Sequence, residues 1–350
     1  MYLIWYIITI ILKEIDNSIS ERIYSSCVGK VYAEWKNRGL MAETQNFFAE
    51  LPTEVSTPII HSFITHVHKE KGLFLDILGQ NLNVPEGVRK PLACSAEILW
   101  ALSLMMDDIT DCDETRGGLQ SCWAQFGKEQ TLHSAYSGLK GLGQYLTKRL
   151  GDKKAARYCM GYVQLGMESL YTHRTMNLDT PTQIILRNYE QRCDFHGIFQ
   201  LGIMYEHSQI DNKEVRFDRS MAGLRHYYKG GQIINDLKDF AGGDLYSRAF
   251  SDLRNNLVTV SLINMYSTLL PYEQLRLRKF LGSKYLNMEE RQEIENMVSS
   301  SRIIEKSLTR AQDCYRNGMD FLSTAIGEDD LKWFDEWASY KMTSIRNKLS

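Results

Sequence analysis

The chain has 350 residues, with 41 Lys and Arg against 43 Asp and Glu, and a formal net charge of −2, which excludes a strongly basic nucleic-acid-binding surface. Its 43% hydrophobic and 24% charged residues belong to a globular protein, not to a disordered or fibrous one. The 7 cysteines are scattered, odd in number and never spaced C-x-x-C, which argues against a disulfide scaffold and for free thiols in the reducing cytoplasm.

The first segment, Met1–Leu12 (MYLIWYIITIIL), is apolar but shorter than the roughly 20 residues a bilayer requires. It reads first as a buried or partner-facing helix and second as a contact with a membrane surface. A secretory signal is a third reading, but no basic residue precedes the segment and no small-residue cleavage site follows it. Residues 1–45 are taken as an N-terminal helical accessory segment and 46–350 as one helical domain. Next, Ala93–Met106 (ACSAEILWALSLMM) is almost wholly apolar, reads as a buried helix, and runs straight into Asp107. Helix-like spacing recurs in Gly143–Leu150, Ala155–Tyr171, Ile184–Tyr205, Arg219–Phe240 and Asn256–Ser267. Loops holding Pro or Gly separate these stretches, at Val84–Gly87, Arg116–Gly118, Asp179–Pro181, Gly242-Gly243 and Leu270-Pro271. Only 6 prolines occur, which leaves room for long helices. No alternating strand pattern of useful length is present, so the fold class is all-α, with roughly ten or more helices.

Two acidic motifs stand out. The first, Asp107-Asp108-Ile109-Thr110-Asp111, places Asp107 and Asp111 one helical turn apart with Asp108 beside them. A lone acidic helix end is usually a solvated face. This one closes an apolar helix, where three carboxylates without a cation would be costly. Mg²⁺ takes oxygen ligands of this kind and completes its shell with phosphate and water. The second motif, Asn235-Asp236-Leu237-Lys238-Asp239, repeats the same spacing about 130 residues later, with Asp244 following a Gly-Gly turn. Turned toward one another across a helical bundle, the two faces would cage several Mg²⁺ ions together with one diphosphate. Arg116 and Arg192 are the side-chain cations best suited to share the diphosphate charge, because a guanidinium fork binds phosphate bidentately. Lys238 and Arg248 are secondary choices. Ser103 and Leu102, about one turn before Asp107, are not aromatic and leave room for a long apolar chain.

From about Lys69 to Met265 the sequence resembles the trans-prenyl diphosphate synthase family. The first motif is similar to its D-D-x-x-D followed by Arg-Arg-Gly, and GQIINDLKDFAGGD (231–244) to its F-Q-x-x-D-D-x-x-D-x-x-G-D. The stretch SDLRNNLVT (251–259) is similar to its S-D-L-x-x-x-K-x-T. The resemblance implies the class I isoprenoid synthase helical bundle around a central cavity, and a homodimer. It assigns Asp107, Asp108 and Asp111 to one side of a metal cluster and Asn235, Asp236 and Asp239 to the other. The departures fall on the side where the family binds isopentenyl diphosphate. A Gly-Gly-Lys-x-x-Arg segment is replaced by His68-Lys69-Glu70-Lys71-Gly72, and the second Arg of the pair is Gly117. A Lys-Thr pair becomes Arg192-Cys193, a Gly-Gln becomes Gly166-Met167, and the Lys before Thr259 is Leu257. The N-D-x-x-D form of the second motif resembles fungal indole-diterpene prenyltransferases of paspaline type. That resemblance implies geranylgeranyl diphosphate as donor, indole-3-glycerol phosphate as acceptor and 3-geranylgeranylindole as product. His68, Lys69 and Lys71 would then grip the single acceptor phosphate, although a solvated charge run reads equally well there.

Three rival readings stay open. A terpene synthase would quench the cation internally. A diverged chain-elongating synthase would still require isopentenyl diphosphate. A catalytically silent regulatory subunit would have little need of the metal-binding residues.

Overall fold

The apolar run Ala93–Met106 becomes the central helix of one of two compact units. In the computed structural model, residues 27–66, 68–116, 118–194, 196–240, 250–283 and 285–349 are described, with the side chains of Cys193, Lys348 and Leu349 excepted. Met1–Leu12, Gly117, Asp244 and Arg248 lie outside the described residues. Among the described residues there are 17 α-helices, so the chain is all-α. They form two compact units. One is built from the described residues within Met1–Tyr162 and Phe195–Phe217, the other within Val163–Asp194 and Asp218–Ser350.

In the first unit, helices α1 (Cys27–Asn37), α2 (Leu40–Ala49), α3 (Thr53–Thr65) and α4 (Glu70–Asn81) precede the long α5 (Glu86–Asp111). Then come α6 (Cys122–Phe126), α7 (Lys128–Leu150), the start of α8 (Lys154–Arg174) and α10 (Ile198–Glu206). Helix α5 packs against α2, α3, α4, α7 and α10. That is why Leu92, Ala93, Cys94, Ala96, Ile98 and Met105 are all fully buried. Glu86 in its first turn suits the positive end of the helix dipole. Trp35 of α1 is fully buried, with its ring near those of Tyr32 and Phe63, and Phe47 of α2 meets Tyr145 of α7 edge-on. Burying a side chain such as Phe47 contributes about 1.5–3 kcal/mol, so α1 and α2 belong to this core.

A cluster of buried charge joins α3, α4 and α5. The Lys69 ammonium donates to the Phe63 carbonyl at 2.6 Å and the His66 carbonyl at 2.5 Å, at the carbonyl-rich end of α3, and lies over the Phe63 ring. Glu97 of α5 accepts the Gly72 N–H at 2.7 Å in the first turn of α4. A Cβ on Gly72 would sit 3.0 Å from the Ala93 carbonyl and 3.2 Å from Trp35 Nε1, so a side chain there would push α4 and α5 apart by a few tenths of an ångström.

The second unit holds the rest of α8, α9 (Thr182–Asp194), most of α11 (Lys213–Leu237) and a 3₁₀ turn at Lys238–Phe240. It continues with α12 (Ser251–Arg254), α13 (Val260–Tyr266), α14 (Pro271–Phe280), α15 (Met288–Ser301), α16 (Ile303–Leu322) and α17 (Glu328–Leu349). The short α13 is nearly all buried and packs against α9, α15 and α16. Thr259 caps it by accepting the Leu262 N–H at 3.2 Å.

One expectation from periodicity needs correction. The stretch Ile184–Tyr205 is two helices, α9 and α10, broken at His196-Gly197, where Gly197 takes φ −167° and ψ −33° as N-cap of α10. A β-ladder also exists: β1 (Thr115–Arg116) pairs antiparallel with β2 (Leu119–Gln120), Arg116 opposite Leu119. Strands of two residues are too short to leave an alternating pattern in the sequence.

Candidate active site

The first acidic motif closes α5, and the backbone turns sharply just after it. Cys112 adopts left-handed φ 56° and donates its N–H to the Asp108 carbonyl, which also accepts the Asp113 N–H at 2.9 Å. The chain then folds back through β1, and this return brings Arg116 to the motif. Arg116 Nε donates to Asp108 Oδ1 at 2.6 Å, and its Nη2 lies 3.4 Å from Asp107 and 3.9 Å from Asp113. Asp108 is only 2% exposed, whereas the Asp107 side chain is 43% exposed and Asp111 is half-buried. Burial pushes the Asp108 carboxyl above its usual range, and the repulsion of Asp107 and Asp113 adds to this. The Arg116 hydrogen bond and charge oppose the rise. One guanidinium thus serves several clustered carboxylates, and the cluster has room for further positive charge.

The second motif ends α11 and behaves differently at each position. Asn235 is exposed, and its Oδ1 accepts from Lys238 Nζ at 3.2 Å. Asp236 is 3% exposed; its Oδ2 accepts the Tyr189 hydroxyl at 2.5 Å and its Oδ1 accepts Gln232 Nε2 at 2.9 Å. The α-helix stops at Leu237, so Asp239 lies on the 3₁₀ turn and departs from the helical i, i+4 position. Its Oδ1 accepts the Ser251 N–H at 2.6 Å and the Ser251 hydroxyl at 2.8 Å, and its Oδ2 accepts the Asp252 N–H at 3.0 Å. Asp239 therefore holds the start of α12. Burial raises the Asp236 carboxyl to about 7 and that of Asp239 to about 6, against the hydrogen bonds that favour their ionised forms.

Arg192, on α9, donates from Nη1 to His173 Nδ1 at 3.3 Å, and its positive charge favours ionised Asp236. His173 is buried, and its Nε2 lies 2.8 Å from the Val258 carbonyl. That carbonyl can only accept, so Nε2 carries the proton and Nδ1 receives the Arg192 bond. Burial first, and then the Arg192 charge, push this imidazole down to about 4.

The residues around 68–71 are enclosed. Lys69 is spent on the end of α3, as described above. Lys71 is 7% exposed, its Nζ 3.1 Å from Glu70 Oε1 and 3.9 Å from the centre of the Trp100 ring. His68 is half-buried, its ring 5.5 Å from that of His66. Ser103 turns its hydroxyl to the Trp100 carbonyl at 2.8 Å, and Leu102 is buried beside it.

Among the described residues, no group of three or more His, Cys, Asp or Glu side chains is gathered as a ready metal cage. Taken one motif at a time, the donors nevertheless suit Mg²⁺. They are all hard oxygens, they are carboxylate-rich, and Asp107 and Asn235 point to solvent. Neighbouring protein groups hold Asp108, Asp236 and Asp239. Sequence reasoning missed Tyr189 and His173, whose types in a helical pattern look like ordinary packing, and gave Gln232, though part of the second motif, no role toward Asp236. It also missed the hairpin that returns Arg116 to Asp108.

Comparison with known proteins adds three findings. Residues 69–299 match the polyprenyl synthetase family. The chain is 25% identical over 278 residues to ophiobolin F synthase of Aspergillus calidoustus, covering 73% of this chain; it spans only 37% of that protein's length. Its fold is similar to that of a decaprenyl diphosphate synthase from Rhodobacter capsulatus, with TM-score 0.78, 13% identity, and 91% of this chain and 99% of that one covered. It is also similar to a polyprenyl synthase from Caulobacter crescentus CB15 complexed with calcium and isoprenyl diphosphate, with TM-score 0.65, 14% identity, and 94% and 97% covered. No described helix is long and apolar enough to cross a membrane.

Proposed function

The chain belongs to the polyprenyl synthetase family, a family of prenyltransferases, and on that premise we propose that it ionises geranylgeranyl diphosphate with Mg²⁺ and transfers the prenyl group to an indole acceptor. The observation that carries this reading is the pair of oxygen-rich motifs, each closing a long helix and each holding one buried carboxylate on a positively or neutrally charged donor. Asp107, Asp108 and Asp111, with Asn235, Asp236 and Asp239, would hold the metal, as three ions per site. Bound there, Mg²⁺ supplies charge neutralisation to the departing diphosphate.

The chain's own residues do the remaining work. Arg116 keeps Asp108 in one orientation and leaves part of its guanidinium fork for phosphate. Arg192, steadied by His173, adds a second cation on the side of Asp236. The apolar residues of α5 before Asp107 would keep water from the cation. Within this reading indole-3-glycerol phosphate attacks through carbon 3 of its ring, which needs no strong base, and the product is 3-geranylgeranylindole. We place the enzyme in the cytoplasm as a homodimer, with residues 46–350 as its catalytic domain and Met1–Leu12 as a contact with a membrane surface or partner.

A second reading is favoured by one specific observation. Lys69 and Lys71, the cations proposed for an acceptor phosphate, are buried and engaged with Phe63, His66, Glu70 and Trp100. An enzyme with no phosphorylated acceptor, quenching the cation internally as a terpene synthase does, would have no use for them. The similarity to ophiobolin F synthase supports this second reading. Product analysis with geranylgeranyl diphosphate and Mg²⁺, with and without indole-3-glycerol phosphate, separates the two. A prenylated indole formed only with the acceptor supports transfer, and a cyclic hydrocarbon formed without it supports the lyase. Turnover that depends on isopentenyl diphosphate would overturn both.

A further inference from the structure

Asp236 is held by a closed circuit of hydrogen bonds and charge inside the second unit. Tyr189 is fully buried, donates its hydroxyl proton to Asp236 Oδ2 at 2.5 Å, and accepts the Val260 N–H at 3.2 Å. Val260 begins α13, and Val258, two residues earlier, offers its carbonyl to His173 Nε2. His173 in turn accepts from Arg192, which lies three residues after Tyr189 on α9. The two rings meet nearly perpendicular, His173 to Tyr189, with centroids 6.1 Å apart. One backbone segment, 258–260, therefore steadies both a candidate metal-binding carboxylate and a candidate phosphate-binding guanidinium.

We propose that Tyr189, together with Gln232 on the other carboxylate oxygen, is a positioning residue that presents Asp236 to Mg²⁺ in a single orientation. The inference rests on the reading that Asp236 helps to hold metal and diphosphate. A tyrosine hydroxyl has one proton, and this one is committed to Asp236, so Tyr189 is not the acid of the reaction. What remains is orientation. Partners in this outer layer commonly tune metal affinity about 10- to 100-fold when altered.

The test uses the purified full chain and the variants Tyr189→Phe, Gln232→Met and Asp236→Ala. Mg²⁺ binding is measured by calorimetry with inorganic diphosphate present, alongside the melting temperature and the Mg²⁺ dependence of turnover. Tyr189→Phe is expected to bind Mg²⁺ at least about tenfold more weakly, with turnover recovering substantially at saturating Mg²⁺. Gln232→Met should shift binding the same way by less. A merely structural tyrosine would lower the melting temperature and leave the Mg²⁺ titration unmoved. Mg²⁺ binding by Tyr189→Phe within twofold of wild type, while Asp236→Ala abolishes it, overturns the inference and leaves the functional reading standing. Should Tyr189→Phe fail to fold, unchanged binding in Gln232→Met overturns it instead. A wild-type chain that binds no Mg²⁺, or an Asp236→Ala chain that binds it normally, removes the functional reading and the inference with it.

Discussion

Asp108→Asn separates charge from shape at the first motif. Asparagine keeps an oxygen where Asp108 Oδ1 accepts Arg116 Nε at 2.6 Å, so the hairpin contact survives in geometry. Arg116 also retains Asp107 at 3.4 Å and Asp113 at 3.9 Å, so its guanidinium is not left alone. The lost charge assistance costs about 1 kcal/mol or somewhat more. Relief of the desolvation and like-charge repulsion that raise the Asp108 carboxyl offsets part of that. Folding stability should therefore move by about 1 kcal/mol at most. On the proposed reading, in which Asp108 helps to hold Mg²⁺, catalysis has no such offset, because asparagine brings no negative charge to the metal. Removing one preorganised electrostatic contact to a developing charge typically costs about 2.7–4 kcal/mol, or about one hundred- to one thousandfold in turnover. Diphosphate release from geranylgeranyl diphosphate at saturating Mg²⁺, read beside circular dichroism and a thermal melt, measures both quantities. A well-folded Asp108→Asn enzyme turning over within about threefold of wild type would refute the assignment of this carboxylate to the chemistry.

Two further outcomes concern the buried corner of the first unit. Gly72→Ala should destabilise the chain by about 1–3 kcal/mol in a denaturant titration, because the new methyl meets the Ala93 carbonyl and Trp35. Unchanged stability would mean that α4 and α5 can separate at little cost. Burial raises the Glu97 carboxyl to about 7, against the favourable charges of Lys69 and Lys71 and with Glu70 adding to the rise. The folded chain thus keeps a proton there that the unfolded chain loses near the ordinary glutamate value of about 4.3. This contribution is full below that value and disappears as pH rises through about 7. Glu97→Gln should remove it, so the stability of the variant relative to wild type should climb between those limits. A pH-independent difference between the two melting curves would contradict the buried placement of this acid.

The apolar run ending at Met106 announced α5, and the acidic residues after it announced the motif, because a long hydrophobic stretch in a helical pattern is best buried as a core helix. The position of Arg116 was legible only as chemistry. The ladder that returns it to Asp108 has two residues per strand and carries no periodic signal. The break at His196-Gly197 was missed because apolar residues continue on both sides of it, and a single glycine is tolerated inside many helices. Asp239 illustrates a different limit. Its spacing from Asn235 and Asp236 is helical in sequence, but α11 ends two residues before it and the carboxylate caps α12 instead. The Gly-Gly pair that follows was a hint of that ending. Lys69 and Lys71 looked like a solvated or phosphate-binding run because their partners are backbone carbonyls and an indole ring, groups that a charge pattern does not reveal.

The Lys69 and Glu97 contacts at the junction of α3, α4 and α5 have a consequence for how the protein meets its solution. Dissolved ions weaken attractions they can surround, such as the exposed Lys148 and Glu50 pair at 2.8 Å. They cannot enter a corner where the ammonium is 2% exposed and the carboxylate 1%. Concentrated brine should loosen the surface of this unit well before it touches that seam.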